Sequence, residues 1–207
     1  MIKAILLDLG GVIVDLDIDK CRDAYRTRAG FENIDDILDP CIQKGFLYDL
    51  EAGAITPEDF FRAAREYCRP GVTDEEIAGC QCELLRSIDP AKAVYLRQLS
   101  ERYPLYMLSN NNLIVLPKIR RMMAEAGLPM DSLFKDLFLS CEMKMMKPGL
   151  EIFRESVRRT GLPASELLFI DDSMTNVEAA RAVGMNAAYY ERGTDLAALI
   201  ESQLQTL

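Results

Sequence analysis

Five short apolar runs, each followed by a turn or helix signal, restrict this chain more than any other feature of its sequence. They are residues 2–7 (IKAILL), 105–108 (LYML), 137–139 (LFL), 167–170 (LLFI) and 187–190 (AAYY). Successive side chains of a strand point to opposite faces, so a strand apolar on consecutive residues is covered on both sides. Between the last four runs, residues 116–126, 152–160 and 176–183 carry apolar residues at helical spacing, the last closed by Gly184. Parallel neighbours need a long crossover, and a helix supplies it. The pattern therefore predicts an α/β fold with a doubly wound parallel sheet.

The interval between the first and second runs is different. From Asp17 to Ser87 helix starts recur and no strand is expected. Thr56-Pro57-Glu58-Asp59 sets a cap, a first-turn proline and two acids in helix-start order. Thr73 with Glu76 reads as a capping box, and Asp89-Pro90 opens the helix that leads back to the sheet. The division predicted is an α/β core from residues 1–16 and 88–207, with a small helical domain, 17–87, inserted after strand one.

Composition narrows the chemistry. The 207 residues include no histidine, which removes Ser-His-Asp, Cys-His and histidine-metal catalysis together. Six cysteines contain no C-x-x-C pair and read as buried or idle thiols. The net charge of −9 argues against nucleic acid as a partner and against an anionic membrane surface. The N-terminal apolar run is too short to span a bilayer and lacks the order of a signal peptide, so a cytoplasmic protein is expected. Methionines 122, 123, 143, 145 and 146 read first as adaptable core packing, with an interface as the alternative. The chain is expected to act as a monomer or a homodimer.

Four polar sites fall just after four of the five runs, where open α/β sheets place their ligands. Asp8 lies in LLDLGGVIVD, Ser109 in YMLSNNN, Lys147 in KMMKPGLEIF, and Asp171 with Asp172 in LLFIDDSMTN. Singly, each reads as a turn, a cap or a solvated loop charge. Together they form a reaction centre. A carboxylate nucleophile, Asp8, can accept a phosphoryl group, provided that a cation stands between it and the phosphate dianion. Asp8, Asp171 and Asp172 make a hard oxygen cluster suited to Mg²⁺, and Lys147 adds a fixed positive charge. The Ser109 hydroxyl and the N–H groups near Leu9, Gly10 and Asn110 can bind the remaining phosphoryl oxygens.

DLGGVIVD, LSNNN, KMMKP and IDDSMTN resemble the four motifs of the haloacid dehalogenase superfamily, in order and across essentially the whole chain. The helical insert after the first motif is similar to that of members with a helical cap. More narrowly, the chain resembles the sugar-phosphatase branch that includes α-D-glucose-1-phosphate phosphatases and the phosphatase domain of soluble epoxide hydrolases. The resemblance implies a Rossmann-like core with strand order 3-2-1-4-5, Mg²⁺ as cofactor and a small phosphorylated metabolite as substrate. It implies that Asp8 is the nucleophile and a metal ligand, and that the Gly10 carbonyl is a second ligand. Asp172 is then a direct ligand, and Asp171 a direct or water-mediated one. Ser109 and Asn110 bind phosphate, Lys147 neutralises charge, and Asn176 supports the metal site.

The pattern breaks at Gly10, where most phosphatases of this family carry the aspartate that protonates the leaving oxygen. General acid–base help is worth about 10²–10⁴-fold in rate. One explanation is a preference for good leaving groups, such as sugar 1-phosphates. Another is that Asp15 or Asp17 supplies the proton, although an exposed loop acid or a helix cap is the plainer reading of each. Tyr25, Phe46, Tyr48 and Arg62 are candidate lining residues from the helical insert. A haloacid dehalogenase, a phosphomutase and a phosphate- or metal-binding module are the alternatives.

Overall fold

A computed structural model describes residues 1–36 and 45–207. The chain enters through β1 (Ala4–Leu7), turns, and forms the short β2 (Asp15–Leu16). The helices α1 (Ile18–Ala24), α2 (Phe46–Glu51), α3 (Pro57–Arg65) and α4 (Asp74–Cys82) follow, then β3 (Leu85–Ser87). The remainder alternates: α5 (Pro90–Arg102), β4 (Leu105–Ser109), α6 (Leu116–Glu125), α7 (Met130–Leu133) and β5 (Phe134–Leu139). After these come α8 (Ser140–Met143), α9 (Leu150–Thr160), β6 (Leu167–Asp171), α10 (Met174–Ala182), β7 (Asn186–Tyr189) and α11 (Leu196–Thr206).

The main sheet is parallel throughout, in the order β5-β4-β1-β6-β7. Counted within that sheet, the order is 3-2-1-4-5, as expected. β1 is the switch point: the chain first builds outward through β4 and β5, then returns to add β6 and β7. Connections leave the C-terminal ends of β1 and β6 in diverging directions and open a crevice above them. Both sheet faces are covered. Ile5, Leu7, Met107, Leu168 and Ile170 share one buried cluster with residues of α5, α6 and α11. Ala4, Leu6, Leu108, Leu167 and Phe169 share the other with α9 and α10. This alternation is why the strands read as unbroken apolar runs.

The segment between β2 and β3 has a buried cluster of its own, including Cys21, Tyr25, Phe31, Ile34, Leu50, Phe60, Ile77 and Cys80. Its helices start where expected. Thr56 with Asp59 and Thr73 with Glu76 form complete capping boxes, and Asp89 caps α5. Tyr25 donates its hydroxyl to Gln81 Oε1 at 2.9 Å, so this tyrosine belongs to the packing. Cys21, Cys68, Cys80, Cys82 and Cys141 are free thiols, while Cys41 lies outside the described residues. Burial pushes the Cys21 thiol up to about 12 and Cys80 to about 11, which makes both inert at neutral pH. Met123 is buried, and Met122, Met143 and Met145 pack against the two sheet-face clusters.

Two sequence expectations are corrected. β5 begins three residues before the run at 137, because Phe134 is buried and pairs with Leu105. The interval 17–87 also contains a strand. β3 pairs antiparallel with β2, Asp15 opposite Ser87 and Leu16 opposite Leu85, and ties the two ends of the helical segment together. Only Leu85 is buried in that three-residue strand, which is too short to show alternation.

Replacing Phe153 by alanine tests the packing under the sheet. Its ring is fully buried and meets Phe169 edge-to-face at 5.5 Å. The expected loss is about 3–5 kcal/mol in urea unfolding, against about 1 kcal/mol for Thr73→Ala at the cap of α4.

Candidate active site

The C-terminal ends of β1, β4 and β6 and the loop after α8 bring the predicted residues together. Asp8 directly follows β1, and its N–H donates to Ile170 O at 2.9 Å, which holds it against β6. Lys147 is the hub. Its ammonium donates to Asp171 Oδ2 (2.6 Å) and Leu108 O (3.0 Å) and forms an ion pair with Asp8 Oδ1 at 2.9 Å. Lys147 is 2% exposed and sits 5.5 Å from the centre of the Phe169 ring. Burial disfavours its charge, but Asp171 and Asp8 outweigh that and hold the ammonium above its ordinary value.

Asp8 experiences the opposite balance. Desolvation dominates, Lys147 opposes it, and the neighbouring Asp171 and Asp172 add repulsion, so its carboxyl is pushed up to about 6. It remains an anion at neutral pH. One oxygen of each of Asp8, Asp171 and Asp172 lies within 4.8 Å of the others. Asp171 is fully buried and accepts four hydrogen bonds: from Lys147, from Ser173 N–H at 2.8 Å, and from Asn176 Nδ2 at 3.0 and 3.1 Å. Asn176 thus orients Asp171 rather than facing the cavity alone. Asp172 pairs with Arg192 through Oδ2. Three carboxylates against two cations leave the centre with one negative charge.

The loop after β1 approaches this cluster closely. Gly11 has φ +82°, and a Cβ there would fall 2.1 Å from Asp172 Oδ2, so both backbone and space demand glycine. Leu9 O accepts from Ile13 and Val14 N–H at 2.9 Å, which curls the loop back. The N–H groups of Leu9 and Gly10 have no main-chain acceptor among the described residues and line the cavity. On the β4 side, Ser109 is buried at the cavity wall. Asn110 binds Lys147 reciprocally, its Nδ2 donating to Lys147 O and its Oδ1 accepting from Lys147 N–H, both at 2.9 Å. The Asn110 side chain therefore fixes the Lys147 loop, and what this residue has left for an anion is main chain.

The cavity encloses ≈ 200 Å³. Leu16, Leu84, Leu85, Val115 and Ile119 form an apolar wall, and Glu51 and Asn112 are polar members. The lining residues expected from the insert are not there. Tyr25 is core, Phe46 packs among aromatics, and Arg62 is exposed beside Asp59. Tyr48 borders a neighbouring cleft with Lys144 and Met146. Asp15 pairs with Lys92 at 3.0 Å, and Asp17 caps α1 by accepting from Lys20 N–H at 2.9 Å. Neither lines the cavity.

Glu51, Arg192 and Leu16 escaped the sequence reading. Glu51 ends α2 in a stretch, LYDLEAG, that carries no motif. Burial pushes its carboxyl up to about 7, opposed by a hydrogen bond from the Asn112 side chain.

A crevice at the switch point of a parallel sheet, with a lysine joining two of three clustered carboxylates, defines an α/β enzyme site. The haloacid dehalogenase-like hydrolase family model matches residues 2–184, and the chain belongs to that family. It is 31% identical over 196 residues to the D-ribitol-5-phosphate phosphatase of Bacteroides thetaiotaomicron, covering 94% of this chain and 95% of the relative. A haloacid dehalogenase family enzyme of the same organism, solved with magnesium and inorganic phosphate, superposes with TM-score 0.90 at 32% identity, covering 96% of this chain and 99% of that one. A predicted HAD-like family hydrolase from Porphyromonas gingivalis gives TM-score 0.90 at 30% identity, covering 99% of this chain and 98% of that one.

The raised carboxyl of Glu51 has a consequence for stability. A folded-state value of about 7 against an ordinary 4.5 means that the native state holds more protons between those pH values, so stability falls as pH rises through the interval. Glu51→Gln is expected to remove this slope and to be more stable than the parent above pH 7, by at most roughly 3 kcal/mol. Urea unfolding at pH 5 and pH 8 checks it; parallel slopes for both proteins would contradict it.

Proposed function

We propose that the chain is a Mg²⁺-dependent phosphatase for small phosphorylated metabolites, sugar or polyol phosphates among them, acting through a phospho-aspartate on Asp8. The observation that carries this reading is the Lys147 ammonium placed between Asp8 and Asp171 at the base of a small cavity. Lys147 holds Asp8 by Oδ1 and leaves Oδ2 without a protein donor among the described residues. That free oxygen is the nucleophile. Lys147, the Ser109 hydroxyl and the N–H groups of Leu9, Gly10 and Asn110 surround the position of the phosphoryl oxygens, where charge spreads in the transition state.

The donor set fits a hard divalent cation: carboxylate oxygens clustered within 4.8 Å, with no sulfur or imidazole among them. Asp8, Asp172 and the Gly10 carbonyl would hold it. Asp171, already accepting four hydrogen bonds, would act through a water or by orienting Lys147 and Asn176. When bound, the ion supplies the positive charge that lets a phosphate dianion approach a carboxylate. The magnesium and phosphate of the Bacteroides thetaiotaomicron structure and the ribitol phosphate named for its relative support this reading.

The helical segment 17–87 acts in this reading as a cap that walls off the leaving group and excludes water from the phospho-aspartate. Leu84, Leu85 and Glu51 are its contributions to the cavity. A cavity of this size suits a small metabolite and not a folded phosphoprotein. Free thiols suit a reducing compartment such as the cytoplasm. A dehalogenase would leave the carboxylate cluster without a purpose.

The test is phosphate release from D-ribitol 5-phosphate, glucose 1-phosphate, glucose 6-phosphate and p-nitrophenyl phosphate, with Mg²⁺ and with EDTA. Turnover is expected only with Mg²⁺, and Asp8→Asn is expected to lower kcat by roughly 10⁴-fold or more. Activity that survives EDTA, or that survives Asp8→Asn, would overturn the reading.

A further inference from the structure

The reaction proposed above needs a proton for the departing alkoxide, and the usual donor position cannot supply one. Position 10 is glycine, and Leu16 Cδ1 stands 3.3 Å from where its Cβ would be, so that corner of the cavity is apolar. Asp15 and Asp17 are engaged elsewhere, by Lys92 and by the start of α1. Among the described residues the cavity holds one carboxyl group outside the Asp8–Asp171–Asp172 cluster, and it comes from the helical segment. Glu51 lines the same cavity as Asp8, Gly10, Ser109 and Lys147.

Its placement is built and not incidental. The Glu51 carbonyl accepts from Ser140 Oγ at 2.6 Å, and Ser140 Oγ accepts from Asn111 N–H at 2.9 Å. This relay fastens the end of α2 to the first turn of α8 and to Asn111 in the loop that follows β4. Gly53, two residues on, has φ +64°, and a Cβ there would fall 2.1 Å from Cys141 O, so the helical segment lies directly on the core at this point. The Glu51 side chain is met by Asn112, with no lysine or arginine paired to it among the described residues. A half-buried carboxyl group with no cation beside it is pushed toward its protonated form.

Resting on the phosphatase reading, we propose that Glu51 is the general acid–base of the reaction, serving from the cap side of the cavity in place of the residue missing at position 10. In the first step Asp8 Oδ2 attacks phosphorus, and the bond from phosphorus to the ester oxygen breaks with its electron pair. Glu51 gives its proton to that oxygen, and an alcohol leaves. In the second step water attacks the phosphoryl-aspartate while the Glu51 carboxylate takes one of its protons. The bond from phosphorus to Asp8 breaks, Asp8 departs as a carboxylate, and inorganic phosphate leaves. Glu51 ends protonated as it began, and water is the sole co-reactant. A carboxyl pushed up to about 7 is suited to both steps near neutral pH. The titratable groups facing it are Cys141 on α8 and, across the cavity, Asp8 and Lys147.

A leaving-group comparison on the Mg²⁺-loaded protein tests this. Glu51→Gln would be assayed with 2,4-dinitrophenyl phosphate, whose leaving group needs no proton, and with whichever alkyl phosphate of the panel above the parent turns over fastest. For the alkyl phosphate kcat/KM is expected to fall about 10²–10⁴-fold. For the aryl ester kcat/KM is expected to stay within about threefold of the parent, which also reports a folded site. Because the second step is slowed, rapid mixing should show a burst of dinitrophenolate in the variant. Equal losses on both esters, or no loss on either, would overturn the role of Glu51 while leaving the phosphatase intact. If the parent itself hydrolyses neither ester, the phosphatase reading falls, and this proposal with it.

Discussion

The buried ammonium of Lys147 is the interaction on which the rest of the centre depends. It joins the end of β1 through Asp8, the end of β4 through the Leu108 carbonyl, and the end of β6 through Asp171. Three carboxylates crowded within 4.8 Å would repel one another strongly in a dry pocket, and a lone buried lysine would lose its proton. Together they are tolerable. Removing the lysine would leave uncompensated buried charge, which is far costlier than the net worth of the pairs suggests. The same residue is therefore the electrostatic keystone of the cavity and, in the phosphatase reading, a fixed cation facing the phosphoryl group.

The sheet makes that geometry possible. A lysine in the loop after α8 can reach three strand ends because β4, β1 and β6 are adjacent, and they are adjacent because the chain reverses direction of growth at β1. Asn110 completes the framework by binding both main-chain polar groups of Lys147, so the lysine's backbone is as constrained as its side chain. Charge balance then extends outward. Arg192, beyond β7, pairs with Asp172, and Gly11 leaves the room for that carboxylate.

How much of this was legible in the sequence follows from the range of the interactions. Asp8, Ser109, Lys147 and the Asp171-Asp172 pair could be read because each follows a run whose apolar character announces a buried parallel strand. Sheet topology then carries them to one edge. The cap at Thr56 and the capping box at Thr73 were legible because their signals lie within the first helical turn. Glu51, Arg192, Leu16 and Ser140 were not, because their relation to the site is purely tertiary and no local pattern marks them. β3 was missed for a different reason: its partner is β2, across the whole helical segment, and three residues show no period. Aromatics of the insert were plausible lining residues by type, yet a small helical unit needs them for its own core, and Tyr25, Phe46 and Phe60 are used that way.

Gly10 and Leu16 belong to one local solution. The loop that curls back through Leu9 O places β2, and with it Leu16, over position 10, and Leu16 contributes to the apolar wall with Leu84 and Leu85. An acid at position 10 would bring its Cβ to 3.3 Å from that leucine, closer than an ordinary contact. A carboxyl from α2 avoids that contact. Burial raises its proton affinity and Asn112 opposes that rise, without the charged partners that pull on Asp8. Separating the acid from the anionic cluster also ties its position to the docking of the helical segment, through the Ser140 relay to Asn111. With the roles proposed for Asp8 and Glu51, a substrate would meet nucleophile and proton donor on different parts of the chain, and the site would be complete only with those parts packed together.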